Sequence, residues 1–268
     1  MAGIRTIEAP GGQIDGVLLD IDGVLAISWV PIPGSVGAMV KLRDAGVPFR
    51  LITNTTTQTR ADLAATLCGA GFDVTADEIV TAVTATASYL GEHHRGERVF
   101  VLTDGDPGAD LGAVARVDRP EDAAVIVVGG ANDDFSYDVL NRIFRRVKDG
   151  AILVGMHRNL YWRTARGWEL DGGAFLAALE EAAGVSAMIC GKPAPAFFEA
   201  ALDLLGVPAD RVTMVGDDMV NDVLGAQVAG LTGVLVRSGK FQGTDLAKGT
   251  PDAVIDSLAD LPDWLGLG

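Results

Sequence analysis

The chain has little of the material from which disulfide scaffolds and thiolate metal sites are built. Its 268 residues include only two cysteines, Cys68 and Cys190, and neither has a second thiol close to it in the sequence. This scarcity excludes a disulfide framework and a CxxC metal or redox site. We expect both cysteines to be reduced and to be buried as small apolar side chains.

Positive charge is scarce as well. The 21 Lys and Arg residues stand against 36 Asp and Glu residues, for a net charge of −15, and the basic residues are scattered along the chain. Phosphate backbones and anionic membrane surfaces require a basic patch, so we expect neither nucleic acid nor membrane as a partner. Apolar runs stay well below the ~18 residues that span a bilayer. The first residues also lack the basic and apolar regions of a signal peptide, and we expect a cytoplasmic protein.

Apolar residues are plentiful, at 49% of the chain, and their spacing alternates between two patterns. Short apolar runs predict strands at 16–22, 47–53, 98–103, 123–129, 151–155, 186–190, 211–216 and 233–237. Helical spacing predicts helices at 35–45, 59–70, 77–90, 137–148, 173–183, 195–205 and 221–229. Strands that alternate with helices indicate a parallel sheet with right-handed crossovers, and therefore an α/β fold.

Five carboxylates follow two of the predicted strands. Asp20 and Asp22 end the run GVLLDID, Asp217 and Asp218 follow VTMVG, and Asp222 lies in the first turn of the next helix. Ligands of open α/β sheets bind at this carboxyl edge. A solvated turn or helix caps would account for one or two of these acids. All of them together require a counter-ion, and a hard divalent cation such as Mg²⁺ prefers oxygen ligands.

Three further polar residues are predicted at the same edge. Thr53 and Asn54 end the run LITN and lead into a turn. A hydroxyl and backbone N–H groups at this place suit phosphate oxygens. An ordinary turn and helix cap would contain the same residue types. Lys192 lies between Gly191 and Pro193, after a strand and before a helix. Most lysines are solvated surface residues. An ammonium at this edge would instead keep a carboxylate ionised and neutralise a phosphoryl group.

In chain order, LLDIDGVL, LITN, GKP and VGDDMVND resemble the four motifs of the haloacid dehalogenase superfamily, with the first motif in its phosphatase form. The resemblance covers about residues 14–75 and 186–237. It implies that Asp20 is the nucleophile that forms an aspartyl-phosphate. Asp22 would be the general acid that protonates the leaving oxygen and later deprotonates the attacking water.

The same resemblance implies the remaining roles at this edge. Thr53, Asn54 and Lys192 would bind the phosphoryl group, and Lys192 would also stabilise the nucleophile. The Asp20 carboxylate, the Asp22 backbone carbonyl and Asp217 would hold Mg²⁺. Asp222 would act mainly by orienting the waters of the metal, and Asp218 has no assigned role.

Residues 80–185 separate the second motif from the third, and this segment is far longer than the roughly 2–6 residues of an αβ loop. We expect a separate cap domain there, inserted into a Rossmann-like core formed by 1–79 and 186–268. Its α/β pattern and position resemble the C2a cap of the NagD-like branch. The stretches VVGGANDDFSYDVLNRIF and GMHRNLYWRTARGWELDGGAFLAALEEAAG look close to the phospholysine phosphohistidine inorganic pyrophosphate phosphatase group. Caps of this kind often form dimer contacts, which implies a homodimer through the cap.

A basic and aromatic cluster in the cap stands out in so acidic a chain: His157, Arg158, Tyr161, Trp162, Arg163 and Arg166. A solvated edge or a dimer contact would account for it. We expect His157, Arg158 and Arg163 instead to bind the leaving group of the substrate and to exclude water.

These observations predict a Mg²⁺-dependent phosphatase that hydrolyses a small phosphorylated metabolite. The substrate would be a phosphomonoester, or alternatively pyrophosphate or a phospho-amino acid. Two alternatives stay open from the residues: a protein of the same fold that binds Mg²⁺ or a phosphoester without turnover, and a receiver-type phosphoacceptor. The length of the chain and its large insertion count against the receiver.

Overall fold

The structure is a computed structural model that describes residues 7–9, 12–164 and 167–267. The density of contacts between residues divides the chain into two units. The first unit comprises the described residues of three segments: Met1–Thr53, Arg60–Val80 and Lys192–Gly268. The second unit comprises two segments: Asn54–Thr59 and Thr81–Gly191.

The first unit is built around a six-stranded sheet. Across the sheet, the strands follow the order Ala253–Ile255, Thr232–Val236, Val212–Gly216, Gly16–Asp20, Phe49–Thr53 and Ile79–Thr81. The first five of these strands pair in parallel. Gly16–Asp20 is buried along its whole length, as expected for a parallel strand covered on both faces.

The chain leaves the two central strands of this sheet in opposite directions. Gly16–Asp20 is followed by Phe49–Thr53 on one side, and Val212–Gly216 is followed by Thr232–Val236 on the other. Ligands of open α/β sheets bind where the strand order reverses in this way. Since Leu19 pairs with Val215, both strands end at the same level, and the residues that follow them emerge side by side.

Helices and a large apolar core support this sheet. The helices of the first unit are Ser35–Asp44, Arg60–Gly69, Pro195–Leu205, Gly225–Val228 and Leu261–Trp264, with a π-helical turn at Met219–Leu224. Buried Leu42, Leu63 and Leu67 belong to the same core as Leu19 and Leu51 of the sheet. The strands that lead to the acidic residues are therefore packed against helices in a common apolar core.

The second unit has a parallel sheet and a core of its own. Its strands follow the order Met188–Ile189, Ile152–Gly155, Val125–Val128, Arg98–Leu102 and Ala115–Arg116. Its helices are Ala82–His93, Gly108–Leu111, Tyr137–Lys148 and Gly172–Ala183. The strands Tyr161–Thr164 and Gly167–Leu170 pair as an antiparallel hairpin. The α/β class with a parallel sheet that the sequence predicts is confirmed.

The longest described helices have 12 residues: Ala82–His93, Tyr137–Lys148 and Gly172–Ala183. Within the ranges that the structure describes, no helix combines the length and apolar character needed to cross a membrane.

Two expectations on local structure are wrong. The helix predicted at 77–90 starts only at Ala82, because the buried Ile79 and Val80 form a strand and Thr81 caps the helix by accepting a hydrogen bond from the Thr84 N–H at 3.1 Å. Cys68 is exposed rather than buried, whereas Cys190 is buried, and both are free thiols.

The units of the structure and the domains drawn from the sequence differ at three places. Residues 54–59 and 186–191 lie with the second unit, whereas the sequence assigns them to the core domain, and Val80 lies with the first unit, whereas the sequence assigns it to the cap. Met188–Ile189 pairs with Ile152–Gly155, which ties the later segment to the sheet of the second unit. The boundaries 1–79, 80–185 and 186–268 stay a prediction.

The core of the first unit predicts a large stability effect at Leu67, which is fully buried. We expect Leu67→Ala to lower the free energy of unfolding by about 2–5 kcal/mol, because it removes buried apolar surface and leaves a cavity. Leu204→Ala is the matched control, since Leu204 is 56% exposed and should change stability by less than about 0.5 kcal/mol. Urea unfolding followed by circular dichroism measures both, and equal losses would contradict this description of the core.

Candidate active site

A buried ammonium group lies between two buried carboxylates at the switch point of the first unit. The Lys192 Nζ donates hydrogen bonds to Asp20 Oδ1 at 2.6 Å and to Asp222 Oδ1 at 2.7 Å. The three residues are 4%, 6% and 1% exposed for Lys192, Asp20 and Asp222. Burial alone would lower the pKa of Lys192, but the charges of Asp20 and Asp222 outweigh it and raise this pKa. Lys192 therefore stays protonated and keeps Asp20 paired with a positive charge.

Asp217 is buried beside this group with one oxygen unsatisfied. Its Oδ2 accepts a hydrogen bond from the backbone N–H of Lys240 at 2.8 Å, whereas its Oδ1 is buried and has no hydrogen-bond partner. Burial raises the pKa of Asp217 to about 7, against the lowering effect of Lys240. Gly23 has φ +82°, and a Cβ at this position would collide with Asp217 Oδ2, so the close approach requires glycine.

The carboxylates fit a divalent cation. Asp20, Asp217 and Asp222 each offer one oxygen, and these three oxygens lie within 4.8 Å of one another. Both oxygens of Asp222 already accept hydrogen bonds, from Lys192 Nζ and from the Asp218 N–H at 3.1 Å. Asp217 Oδ1, which accepts no hydrogen bond, is thus better suited to contact a metal directly than Asp222 is. Carboxylate oxygens are the donors that Mg²⁺ prefers.

Asp22 lies two residues beyond Asp20, in a different environment. Part of this residue is open to solvent, and its backbone forms a β-bridge with Ala26. The protein around the carboxyl nevertheless removes part of its solvation, which raises the pKa of Asp22. Lys192 and Lys240 lower this pKa, and the net shift is upward. A carboxyl with a raised pKa is better able to donate a proton near neutral pH.

Asp218 mainly caps the helical turn that follows it. Its Oδ1 accepts hydrogen bonds from the N–H groups of Val220 and Asn221, both at 2.9 Å, and its Oδ2 accepts one from Asn221 Nδ2 at 2.9 Å. Burial would raise the pKa of Asp218, but the charge of Lys240 and these hydrogen bonds lower it to about 2. Asp218 therefore has a local structural role that could not be assigned from the sequence.

Lys240 is a residue that the sequence analysis missed. Its Nζ lies 3.1 Å from Asp218 Oδ2 and 3.6 Å from Asp217 Oδ1. Burial would lower its pKa, but Asp217, Asp222 and Asp218 raise it. A signal was available in the sequence, since the segment Ser238-Gly239-Lys240 closely follows a strand whose carboxyl end lies at the same edge of the sheet.

Comparison with known proteins identifies the family. A family model described as haloacid dehalogenase-like hydrolase matches residues 17–114, and a HAD-hydrolase-like model matches residues 189–261. Human haloacid dehalogenase-like hydrolase domain-containing protein 2 is 36% identical over 251 residues, which cover 94% of this chain and 92% of that protein. The chain belongs to the haloacid dehalogenase-like hydrolases.

Other relatives of this haloacid dehalogenase-like hydrolase are phosphatases. Human phospholysine phosphohistidine inorganic pyrophosphate phosphatase is 33% identical over 269 residues, which cover 96% of this chain and 97% of that protein. The p-nitrophenyl phosphatase from Archaeoglobus fulgidus has a similar structure, with a TM-score of 0.86 and 28% identity, over 92% of this chain and 98% of that one. NagD from E. coli K-12 has a TM-score of 0.83 and 28% identity over the same shares of the two chains.

The hydrolase is therefore a phosphatase of the NagD-like subclass IIA, an enzyme that hydrolyses phosphoric esters. The resemblance drawn from the four motifs is confirmed. This membership excludes the receiver-type phosphoacceptor.

The two remaining phosphate-binding candidates at the strand edge are divided between the units. Thr53 is the last residue of its strand and is buried in the first unit. Asn54, which follows it directly, is half-buried and begins the segment counted with the second unit. The role of both residues in the hydrolase stays a prediction.

Two of the predicted substrate-binding residues of the second unit form hydrogen bonds with nearby residues of the same unit. The exposed Arg158 donates two hydrogen bonds to Glu180, at 2.8 and 2.6 Å. His157 is 3% exposed, and its Nδ1 accepts a hydrogen bond from the Asn159 N–H at 3.2 Å. The side chain of Arg163, and Arg166 as a whole, lie outside the described residues. A substrate contact of His157, Arg158 or Arg163 stays a prediction.

The burial of His157 predicts a pH dependence of stability. Burial lowers the pKa of His157 in the folded protein, although Asp171 and Asp104 act in the opposite direction. The unfolded chain, with a histidine pKa of about 6.5, therefore binds more protons, and the folded state loses stability as the pH falls below about 6.5. We expect His157→Gln to lose less stability between pH 7 and pH 5 than the native protein.

Urea unfolding at a series of pH values measures this difference. His93→Gln is the matched control, because His93 is 52% exposed, and this variant should follow the native profile. Parallel profiles for the native protein and His157→Gln would show that His157 is not held neutral in the folded state.

Proposed function

We propose that the protein is a Mg²⁺-dependent phosphatase that hydrolyses a small phosphorylated metabolite through an aspartyl-phosphate on Asp20. The observation that carries the proposal is the hydrogen bond of 2.6 Å between Lys192 Nζ and Asp20 Oδ1, in a buried site at the switch point of the sheet. An ionised carboxylate that is held in place and shielded from water suits nucleophilic attack on phosphorus.

In the first half of the reaction, Asp20 attacks with the carboxylate oxygen that Lys192 does not hold. A bond forms between this oxygen and phosphorus, and the bond from phosphorus to the leaving oxygen breaks. Asp22, whose pKa is raised by desolvation, donates its proton to the leaving oxygen. Thr53, Asn54 and Lys192 bind the phosphoryl oxygens during this transfer.

In the second half, Asp22 is ionised and removes a proton from a water molecule. The water oxygen attacks the phosphorus of the aspartyl-phosphate, the bond to Asp20 breaks, and inorganic phosphate leaves. Asp20 is again a carboxylate paired with Lys192, and Asp22 has regained its proton. One carboxyl thus acts as a nucleophile and the other as an acid and base, because their environments differ.

The metal would be held by the Asp20 carboxylate, the Asp22 backbone carbonyl and Asp217, with Asp222 acting through the waters of the metal. Mg²⁺ bound there would neutralise charge on the phosphoryl group and on the carboxylates. The buried, unpartnered Asp217 Oδ1 supports this assignment.

The substrate is proposed from the relatives. One of them is named as a phosphatase of phospholysine, phosphohistidine and inorganic pyrophosphate, and another as a p-nitrophenyl phosphatase. These names support a small phosphorylated compound, either a phosphomonoester, pyrophosphate or a phospho-amino acid. We further propose that His157, Arg158 and Arg163 contact its leaving group. A homodimer through the inserted segment and a cytoplasmic location belong to the same proposal.

Hydrolysis of p-nitrophenyl phosphate tests the nucleophile. We expect the native protein to release p-nitrophenol in the presence of Mg²⁺ and Asp20→Asn to lose nearly all of this activity, because the amide removes the attacking oxygen anion. Asp203→Asn is the matched control, since Asp203 is exposed on the helix Pro195–Leu205. After an acid quench and borohydride reduction, mass spectrometry should find homoserine at position 20 of the native protein. Full turnover by Asp20→Asn would exclude Asp20 as the nucleophile.

Thermal unfolding tests the metal site without reference to activity. A ligand that binds only the folded protein stabilises it by about 2.7 kcal/mol at a hundredfold excess over its Kd. We expect Mg²⁺ to raise the unfolding midpoint of the native protein and of Asp203→Asn. In Asp217→Asn the effect should be lost, because the amide removes the charge of the group whose Oδ1 lacks a partner. An equal rise in all three proteins would show that Mg²⁺ binds elsewhere.

A further inference from the structure

The segment that follows the phosphate-binding strand is built into the second unit. Thr53 ends the strand Phe49–Thr53 of the first unit, and the next six residues, Asn54–Thr59, are grouped with the second unit by their contacts. Thr56 is the only buried side chain of this segment, at 3% exposure, whereas its neighbours are half-buried or exposed. A buried polar side chain in a connecting segment requires hydrogen-bond partners.

Thr56 finds these partners in a closed ring of three hydrogen bonds. The Thr56 hydroxyl donates to Asp104 Oδ1 at 2.6 Å and accepts from the Gly130 N–H at 3.2 Å. The ring closes where the Asp104 N–H donates to the Gly130 carbonyl oxygen at 2.7 Å. Both capacities of the hydroxyl are thus used, and a hydrogen bond to a carboxylate is stronger than one between neutral groups.

The ring also requires glycine at position 130. A Cβ on Gly130 would lie 2.6 Å from Thr56 Oγ1 and would also collide with Asp104 Oδ1. Asp104 and Gly130 follow the neighbouring parallel strands Arg98–Leu102 and Val125–Val128, so both are fixed by the sheet of the second unit. Thr56 is therefore attached to a rigid element.

The titratable groups that face Asp104 are His157 and Asp171. Burial raises the pKa of Asp104 and outweighs the Thr56 hydrogen bond, which lowers it; Asp171 adds to the rise, and His157 opposes it when it is protonated. Asp171 itself accepts hydrogen bonds from the N–H groups of Ala131 and Gly172, at 3.2 and 2.7 Å. Asp104 thus belongs to a connected polar network at the carboxyl edge of this sheet.

The attachment of Thr56 restricts the residues before it. Asn54 is two positions before Thr56 and Thr53 is three positions before it, so the chain from Thr53 to Thr56 spans at most about 11 Å at roughly 3.6 Å per residue. The Asn54 amide and the neighbouring backbone N–H groups therefore lie within two positions of an anchored side chain.

We propose that Thr56 and Asp104 are positioning residues for phosphate binding, which hold Asn54 and its backbone in place through the ring with Gly130. This inference rests on the proposed function, in which Thr53 and Asn54 bind the phosphoryl group. Neither Thr56 nor Asp104 contacts the reacting atoms. Their effect is on the geometry of the segment, where a displacement of about 1 Å lowers the rate up to about a hundredfold.

Inorganic phosphate, the product of the reaction, is the probe that tests the proposal. Thr56→Val keeps the shape of the side chain and removes both hydrogen bonds, and Asp104→Ala removes the acceptor. We expect each to raise the KM for p-nitrophenyl phosphate and the Ki for inorganic phosphate about tenfold. The Ki of the double variant should be little higher than that of either single variant, because both substitutions remove the same hydrogen bond between Thr56 and Asp104.

Two variants serve as controls. Thr56→Ser retains the hydroxyl and should restore the Ki to within about twofold of the native value. Thr57→Val is the matched exchange in the same segment at an exposed side chain, and it should leave the Ki unchanged. If Thr56→Val fails to fold, Asp104→Leu gives the same test with a side chain of similar size that cannot accept the Thr56 hydrogen bond, and we expect its Ki to rise at least threefold.

The outcomes separate the inference from the function on which it rests. A lowered unfolding temperature with an unchanged Ki would overturn the inference, since the ring would then be only structural. A native protein that neither hydrolyses p-nitrophenyl phosphate nor binds inorganic phosphate in a calorimeter would overturn the proposed function and this inference together. A native enzyme with normal turnover and insensitive Thr56 and Asp104 variants would overturn the inference alone.

Discussion

The buried ammonium of Lys192, between Asp20 and Asp222, is the interaction on which the site depends. Moving charges out of water is costly, and removing one partner of a buried ion pair typically costs about 3–5 kcal/mol because the other is left uncompensated. Three buried carboxylates share this region, however, and Lys192 pairs with only two of them. The third carboxylate is Asp217, whose burial raises its pKa to about 7, with Asp20 and Asp222 adding to the rise and Lys240 opposing it. Its Oδ1 accepts no hydrogen bond and lies 3.6 Å from Lys240 Nζ. The divalent cation proposed for this site would offset the negative charge of these carboxylates.

The sheet brings these groups together because its two central strands run in parallel and end at the same level. The pairing of Leu19 with Val215 sets this register, and Asp20 and Asp217 follow from it. Gly23 then allows the chain to pass against the Asp217 carboxylate, where any side chain would collide. The geometry of the carboxylates is therefore a property of the sheet and of one tight turn. Helix packing beneath the strands keeps both in place.

Much of this could be predicted from the sequence, because strand ends followed by acids are local patterns. The α/β class and the family followed from Asp20, Asp217 and their neighbours in the four motifs. Long-range pairs could not be predicted in this way. Thr56 and Asp104 are 48 positions apart, and no pattern around either residue points to the other. Lys240 was missed for a related reason, since its importance depends on the return of a distant strand to the same edge.

Asp217 and Asp218 show that a sequence pattern alone does not determine the environment of an acidic side chain. The two residues are neighbours of the same type, yet their pKa values are about 7 and about 2. Asp218 points toward the start of a helical turn, where three donors satisfy its oxygens. Asp217 points into the protein and receives one backbone hydrogen bond. Because Asp218 accepts three hydrogen bonds, it has little to gain from a metal, whereas Asp217 Oδ1 accepts none and lies 3.6 Å from Lys240 Nζ. Hydrogen bonds, rather than residue type, thus separate the acid that caps a helical turn from the acid that we propose as a metal ligand.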